Sequence, residues 1–323
     1  MKKIAVLLLA LLLIPCAALG ETVKVSEVTH SVFYAPQYVA LGLGFFEEEG
    51  LQIDLMNGGG ADKVMTSVLT GEADIGLAGP EACIYVLLAE HDDAPRVFAQ
   101  LTCRDGSFLV GREQEDFSWE NLKGKQIIGG RKGGMPEMTL EYVMKQHGVV
   151  PGVDAQVDTS VQFNMMAGAF IGGDADYVAL FEPTATEAEL AGQCVVLTSI
   201  GQESGEIPYT AYFAAQSFLN EKADTVQRFT NAVYRGQQWV YAHTDAEVAE
   251  VLLPFFPDTS LEVMAQVVAR YREIEAWNPT PVMKRSALEM LETVMESAGE
   301  LERRVEFEKL VDNSFAFTAL ENN

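Results

Sequence analysis

The amino-acid sequence predicts an α/β fold of two lobes, each with its own α/β unit. A two-strand hinge joins the lobes, and a helical C-terminal tail packs on the first. Three features carry this expectation. Short runs rich in Val, Ile and Leu alternate with helix-length segments from Val23 onward, the order that builds largely parallel sheets flanked by helices. The alternation restarts near Phe117, so a second unit follows the first. Beyond Ser217 the apolar residues recur at helical spacing, so the rest of the chain needs no new strand.

In the first unit, VKVSEVT (23–29) reads as a strand, Ala35 to Gly44 as a helix and LQIDLM (51–56) as the next strand. Asn57-Gly58-Gly59-Gly60 is a turn, because glycine reaches backbone conformations that tight turns require. A helix from Ala61 to Leu69 and a strand ADIGLA (73–78) follow. Gly79-Pro80-Glu81 opens a helix that runs to about Glu90. Proline suits a first helical turn, where its missing N–H would be unpaired anyway, and a carboxylate there complements the helix dipole. RVFAQLT (96–102) and SFLVGR (107–112) complete the unit as strands.

The second unit has a short helix Trp119 to Leu122, a strand QIIGGR (126–131), a Gly133-Gly134-Met135 loop and a helix that begins at Pro136. VDAQVDTSV (153–161) is a strand, Asn164 to Ile171 a helix, DYVALFEP (176–183) a strand, Thr184 to Ala191 a helix, and CVVLTSIG (194–201) a last strand. The chain re-enters a strand at YTAYFAA (209–215) and then turns helical, with amphipathic patterns at 218–243, 245–256, 260–274 and 283–301. Crossings between lobes are expected near Val110–Glu113 and near Ile207–Tyr212. This assigns 21–111 and 210–323 to the first lobe and 112–209 to the second.

Residues 1–20 read as an export leader. Lys2 and Lys3 precede an apolar run, Ile4 to Ile14, that is shorter than the ~20 residues a stable membrane span needs. Ala18-Leu19-Gly20 supplies small residues for cleavage before Glu21. The rival is lipidation at Cys16, where Leu13-Ile14-Pro15-Cys16 half resembles a lipobox, but a strand starts within a few residues and leaves no flexible linker. Cleavage therefore ranks first. Either route places the protein outside the cytoplasm, in the periplasm or on the outer face of the cell membrane. The net charge of −25 argues against nucleic acid and anionic membranes as partners. Cys83, Cys103 and Cys194 form no C-x-x-C pair, so a thiolate zinc site is not expected, and burial as small apolar side chains is favoured over one disulfide.

The sequence holds no G-x-S-x-G, no P-loop, no H-E-x-x-H and no strand–G-x-G-x-x-G–helix unit. His30, His91, His147 and His243 are too scattered for a metal site. No catalytic residue, metal or cofactor is expected. What remains is a set of loops at strand carboxyl ends, where open α/β sheets bind small ligands. The first loop offers His30, Ser31, Phe33 and Tyr34; the next offers Gly79, Pro80 and Glu81. The second unit offers Arg131, Gly133, Gly134 and Met135, then Phe181 and Glu182; the re-entering strand offers Tyr209, Thr210 and Tyr212. Aromatic faces stack on a ring while hydroxyls and helix amides orient its edges. Each residue also has a plainer role. Phe33 is either core or contact, Glu81 either a helix-start charge or a ligand acceptor, and Arg131 either a surface ion-pair partner or an anion clamp. Glu182 is either a helix-start charge or an acceptor for an amino group.

The stretch His30-Ser31-Val32-Phe33-Tyr34, with Tyr38-Val39-Ala40 and GFFEEEGL (44–51), resembles the signature of solute-binding proteins from ABC importers, in the nitrate, sulfonate and thiamine-pyrimidine-precursor family. GEADIG (71–76) and Phe181-Glu182-Pro183 support it, and the likeness runs along nearly the whole chain after residue 20. The resemblance implies a bilobal, type II-like periplasmic-binding-protein fold and a monomer that closes on a small molecule by hinge motion and delivers it to permease and ATPase subunits. The His plus Phe-Tyr loop and the F-E-P end lean toward the pyrimidine-precursor binders; Arg131 and the glycine loop keep a sulfonate, nitrate or other anion open. A related group of pyrimidine-forming enzymes shares the first loop but places a lysine for pyridoxal phosphate just after the third strand, a histidine four residues on and a cysteine-rich run. Here those positions are Ala78 and Ala82, with no cysteine cluster. An exported pyrimidine-processing enzyme is the alternative of another class.

Overall fold

The computed structural model describes residues 20–322. The expectations for the leader and for Cys16 fall on residues outside these. Within the described residues the strands are β1 (Glu21–Glu27), β2 (Leu51–Asn57), β3 (Ile75–Ala78), β4 (Arg96–Thr102), β5 (Ser107–Gly111), β6 (Gln126–Ile128), β7 (Gln156–Asp158), β8 (Tyr177–Phe181), β9 (Val195–Ser199) and β10 (Thr210–Ala214). They form two mixed five-stranded sheets, ordered β2-β1-β3-β10-β4 and β7-β6-β8-β5-β9. In β1, Val23 and Val25 are buried while Thr22 and Lys24 face water, the period-two pattern of a strand with one covered face. β3 and β8 carry almost no polar residue because helices cover both faces.

The parallel parts fix where a ligand can sit. β1 pairs in parallel with β2 and β3, and β6 with β7 and β8. Each strand leads into a helix: α1 (Ala35–Gly42), α2 (Ala61–Leu69) and α3 (Glu81–Leu88) in the first lobe, then α4 (Met135–Gln146), α5 (Met166–Gly172) and α6 (Thr184–Leu190) in the second. The carboxyl ends of the parallel strands in each sheet therefore share one edge.

The structure moves one strand from its expected lobe. β5 was expected with the first unit, but Ser107 to Gly111 pair antiparallel with Phe181 to Tyr177 of β8 and also with β9. The first crossing is thus the segment 103–106, not Val110–Glu113. β10 does the reverse, running antiparallel between β3 and β4 after a crossing at 205–209. Each sheet takes in the strand that arrives from across the hinge. β5 is buried throughout, with Ser107 its one polar residue, so its own pattern fits either sheet and pairing partners decide. Gly106 is required at the first crossing by close approach: a Cβ there would lie 2.4 Å from the Phe33 ring. The second unit also departs in detail, since the stretch expected as a strand over 153–161 keeps only Gln156–Asp158.

The tail holds α7 (Ala223–Ala242), α8 (Asp245–Leu252), α9 (Leu261–Glu273), α10 (Arg285–Ala298) and α11 (Ser314–Asn322). α7 packs on α1 and α11, and α8 packs on α1 and α9, which covers the first sheet as expected. α9 and α10 also reach the second lobe, touching α6 and α4. Trp277, fully buried beside the first crossing, donates from Nε1 to the Phe33 carbonyl at 3.0 Å and holds the ligand loop to the tail. Cys83, Cys103 and Cys194 are buried and unpaired. No helix of the described residues is long and apolar enough to cross a membrane.

Candidate functional site

The loops at the carboxyl ends of β1, β2, β3, β6 and β8 meet the second crossing around a cleft between the lobes that encloses about 640 Å³ of empty space. Ten of the sixteen expected residues line it: Phe33, Tyr34, Gly79, Glu81, Arg131, Gly134, Met135, Phe181, Tyr209 and Thr210. Its walls are aromatic. The Phe33 ring lies 5.6 Å from Phe181 across the cleft and 5.6 Å from Tyr209, both edge-on, and Phe163 sits 5.3 Å from Phe181. Such a set leaves ring faces available to a flat ligand. Phe33 is also core, about 2–3 kcal/mol of burial by side-chain size, so both readings of that residue hold together.

Glu81 is the electrostatic centre. Its carboxyl folds back over Gly79, where a Cβ would lie 1.9 Å from Oε2, so the glycine leaves room for this position of the side chain. The side chain is buried, and Oε2 has no hydrogen-bond partner among the described residues. Burial pushes the carboxyl up to about 7, against the opposing pull of its own backbone amide, the Arg131 charge and the backbone amides of Met135 and Ala82. A buried acceptor without a partner is costly unless something supplies a donor. Arg131 faces it from the second lobe, about half exposed, with Nη2 3.8 Å from Asp62.

The remaining expected residues fall elsewhere. His30 and Ser31 line a neighbouring chamber of about 660 Å³, together with Glu182. His30 Nε2 meets the Phe255 carbonyl at 2.8 Å, Nδ1 meets the Tyr38 hydroxyl at 2.7 Å, and the ring stacks 4.4 Å from Phe256. The Glu27 carboxylate beside it raises the imidazole above its ordinary value, partly offset by burial. Ser31 Oγ donates to the Glu182 carbonyl at 2.9 Å, which ties the lobes together. Glu182 is not a free acceptor. Its carboxylate takes the Thr186 amide at 2.9 Å, the Thr186 hydroxyl at 2.8 Å and Arg270 Nη1 at 2.8 Å, while its own amide donates to the Tyr271 hydroxyl at 3.0 Å. The helix-start reading is therefore the one the geometry fits, with a tail arginine added.

Tyr212 is core rather than site: its ring packs 5.0 Å from Phe229 and its hydroxyl donates to Gln37 Oε1 at 2.9 Å. Pro80 caps α3 behind the cleft wall. Gly133 binds the other side of the interface, its carbonyl accepting from the Tyr85 hydroxyl at 3.0 Å and its amide donating to Glu137 at 3.0 Å. Val28, Thr29, Gly60, Ala61, Pro136 and Phe163 line the cleft without having been singled out. The glycine turn after β2 carried a usable signal, because it too ends a parallel strand on the ligand edge. Phe163 was passed over although it lies between the strand expected over 153–161 and the helix expected from Asn164, a strand-to-helix loop like the others. Among the described residues no group of three His, Cys, Asp or Glu is placed to hold a metal ion.

Residues 32–247 match the family described as NMT1/THI5 like. YtlA of Bacillus subtilis (strain 168), provisionally named a binding protein, is 43% identical over 295 residues, 91% of this chain and 88% of that one. The 4-amino-5-hydroxymethyl-2-methylpyrimidine phosphate synthase of Aspergillus parasiticus is 27% identical over 256 residues, 71% and 70% of the two chains. Among solved structures, the alkanesulfonate-binding protein SsuA of Xanthomonas axonopodis pv. citri, bound to MOPS, superposes with a TM-score of 0.74 at 15% identity, covering 92% of this chain and 100% of that one.

Proposed function

This chain belongs to the NMT1/THI5-like family, and from that premise we propose that it is the solute-binding component of an ABC importer for a planar, amino-bearing N-heterocycle of the thiamine-pyrimidine type. The observation that carries the ligand class is Glu81: a buried carboxyl with an unpartnered oxygen, set among Phe33, Phe163, Phe181 and Tyr209. Ring faces stack on the aromatics while a ring amino group donates to Oε2, a charge-assisted bond whose loss costs about 1.5–3 kcal/mol. Such a ligand satisfies Glu81 Oε2, one of two buried polar atoms of the cleft wall without a partner among the described residues, the other being the Tyr209 hydroxyl.

In this reading the protein is exported as a monomer after loss of residues 1–20, and the crossings at 103–106 and 205–209 act as the hinge. The lobes close over the ligand, and the closed form docks on permease and ATPase subunits. Ser31, Tyr85 and Arg131, which reach across the cleft to Glu182, Gly133 and Asp62, are the contacts that closure makes. A small anion is the second reading, favoured by Arg131 and by the fold shared with SsuA. It has to seat a negative charge beside Glu81, which only a protonated carboxyl permits. Enzymatic use of the fold is disfavoured at Ala78, a buried methyl where the resemblance places the lysine for pyridoxal phosphate.

Calorimetric titration tests this. 4-Amino-5-hydroxymethyl-2-methylpyrimidine should bind and be recovered unchanged, and Glu81→Gln should weaken it about tenfold to a hundredfold. Tight binding of methanesulfonate or nitrate with none of the pyrimidine would replace the ligand class. Conversion of the pyrimidine to a product would replace the transport role.

A further inference from the structure

The aromatic cleft does not end at Phe163 and Phe181. These two residues and Thr29 also line the adjoining chamber, so the two spaces meet along one wall. Their chemistry differs in sign. The cleft presents the Glu81 carboxyl, and the chamber presents His30.

Hydrogen-bond directions fix the charge on His30. The Phe255 carbonyl oxygen can only accept, so Nε2 carries a proton. Tyr38 gives its single hydroxyl proton to Glu27 Oε1 at 2.6 Å, so its oxygen accepts from Nδ1 at 2.7 Å. An imidazole that donates from both nitrogens is a cation. Its counter-ion lies behind it: the Glu27 side chain is 2% exposed and that of His30 is 41% exposed, so the imidazole rather than the carboxylate meets the chamber. Glu182, the carboxylate among the chamber walls, is ion-paired with Arg270, which it shares with Glu189, and its oxygens are turned to Arg270 and Thr186. Asn164 and Thr184 line the chamber from its exposed rim, with side chains that bond to nothing among the described residues and are open to water or a ligand.

We infer that the ligand is bipartite, a flat amino-bearing ring in the aromatic cleft and an acidic, oxygen-rich arm that passes Phe163 and Phe181 into the chamber. The arm meets the Asn164 amide and the Thr184 hydroxyl as donors and the His30 charge as a field. The inference rests on the heterocycle reading of the cleft and narrows it. His30 supplies no hydrogen bond of its own, because both N–H groups are spent; it acts by Coulomb attraction at a site partly shielded from water.

The test uses two probes on the full mature chain: 4-amino-2-methylpyrimidine, and the same ring with a carboxymethyl group on carbon 5. Calorimetry on the wild type should show the acid binding about tenfold tighter, which corresponds to about 1.4 kcal/mol. Ala167→Phe, which fills the chamber from α5, should abolish that gain and leave the affinity for the bare ring unchanged. Thr184→Val, on the exposed start of α6, should reduce the gain and serves as the test if Ala167→Phe does not fold. Equal affinity for both probes in the wild type overturns the bipartite ligand while the ring reading stands. A gain that survives both variants places the arm elsewhere and also overturns it. If neither probe binds the wild type, the heterocycle reading fails and this inference falls with it.

Discussion

Two buried glutamates at matching places in the two lobes have opposite fates. Glu81 follows β3 and Glu182 follows β8, each next to a proline and each at the start of a helix. Glu182 is saturated: Thr186 and Arg270 fill its carboxylate, and its backbone bonds to Ser31 and Tyr271. Glu81 keeps one oxygen without a partner, and burial raises its pKa to about 7. A satisfied carboxylate builds a structure, while an unsatisfied one stores a demand that a ligand can meet. The difference lies in what the tail delivers, because α9 brings Arg270 to the second lobe, while among the described residues no hydrogen-bond partner from the tail meets Oε2 of the first-lobe carboxyl.

The largest expected effect comes from breaking the saturated site. Glu182→Ala leaves Arg270 and the Thr186 hydroxyl beside an uncompensated buried space, and about 3 kcal/mol of stability should be lost. Urea unfolding checks this; an unchanged midpoint would mean that Arg270 re-pairs with Glu189 alone, which it already touches at 2.7 Å. Glu81→Gln should do the reverse. It removes a destabilising buried charge, so the melting temperature at pH 8 should rise while heterocycle affinity drops. Loss of both together would make Glu81 a structural residue like Glu182.

A pH series sharpens the same contrast. Burial raises Glu81 to about 7, as it does Asp105 and Glu137. The folded state therefore holds more protons than the unfolded chain between the ordinary carboxylate range and about 7. Stability should fall as pH rises through that window and level off above it. Glu81→Gln should flatten part of the slope in a thermal melt series. An identical slope in the variant would show that Asp105 and Glu137 carry the effect. The smallest effect belongs to Arg131→Ala. Its contact with Asp62 is long and solvated, so stability should shift by less than about 1 kcal/mol. Heterocycle affinity should barely move, whereas a sulfonate ligand would lose most of its binding.

Local pattern made much of the cleft legible. His30-Ser31-Val32-Phe33-Tyr34 ends a strand and opens a helix, and that placement alone puts Phe33 and Tyr34 on the ligand edge. Gly79 and Glu81 follow for the same reason, as do Gly134 and Met135. Where the reading went astray, a distant partner was responsible. Tyr212 sits on a strand whose ends face the cleft, but its side chain points to Gln37 and Phe229, and strand register decides that. Glu182 was consumed by Arg270, which stands 88 positions away along the chain. No local window contains both.

The sequence by itself determined the order of strands and helices, the two-unit plan with its helical tail, and which loops lie at strand carboxyl ends. Periodicity and turn chemistry are local, so they can be read without knowing what packs where. The tertiary structure decided which sheet β5 joins, which glutamate is left unsatisfied, and that His30 opens on a second chamber. Each of these depends on a partner brought from far along the chain, and the free energy of a buried polar group is set by that partner rather than by its neighbours in sequence.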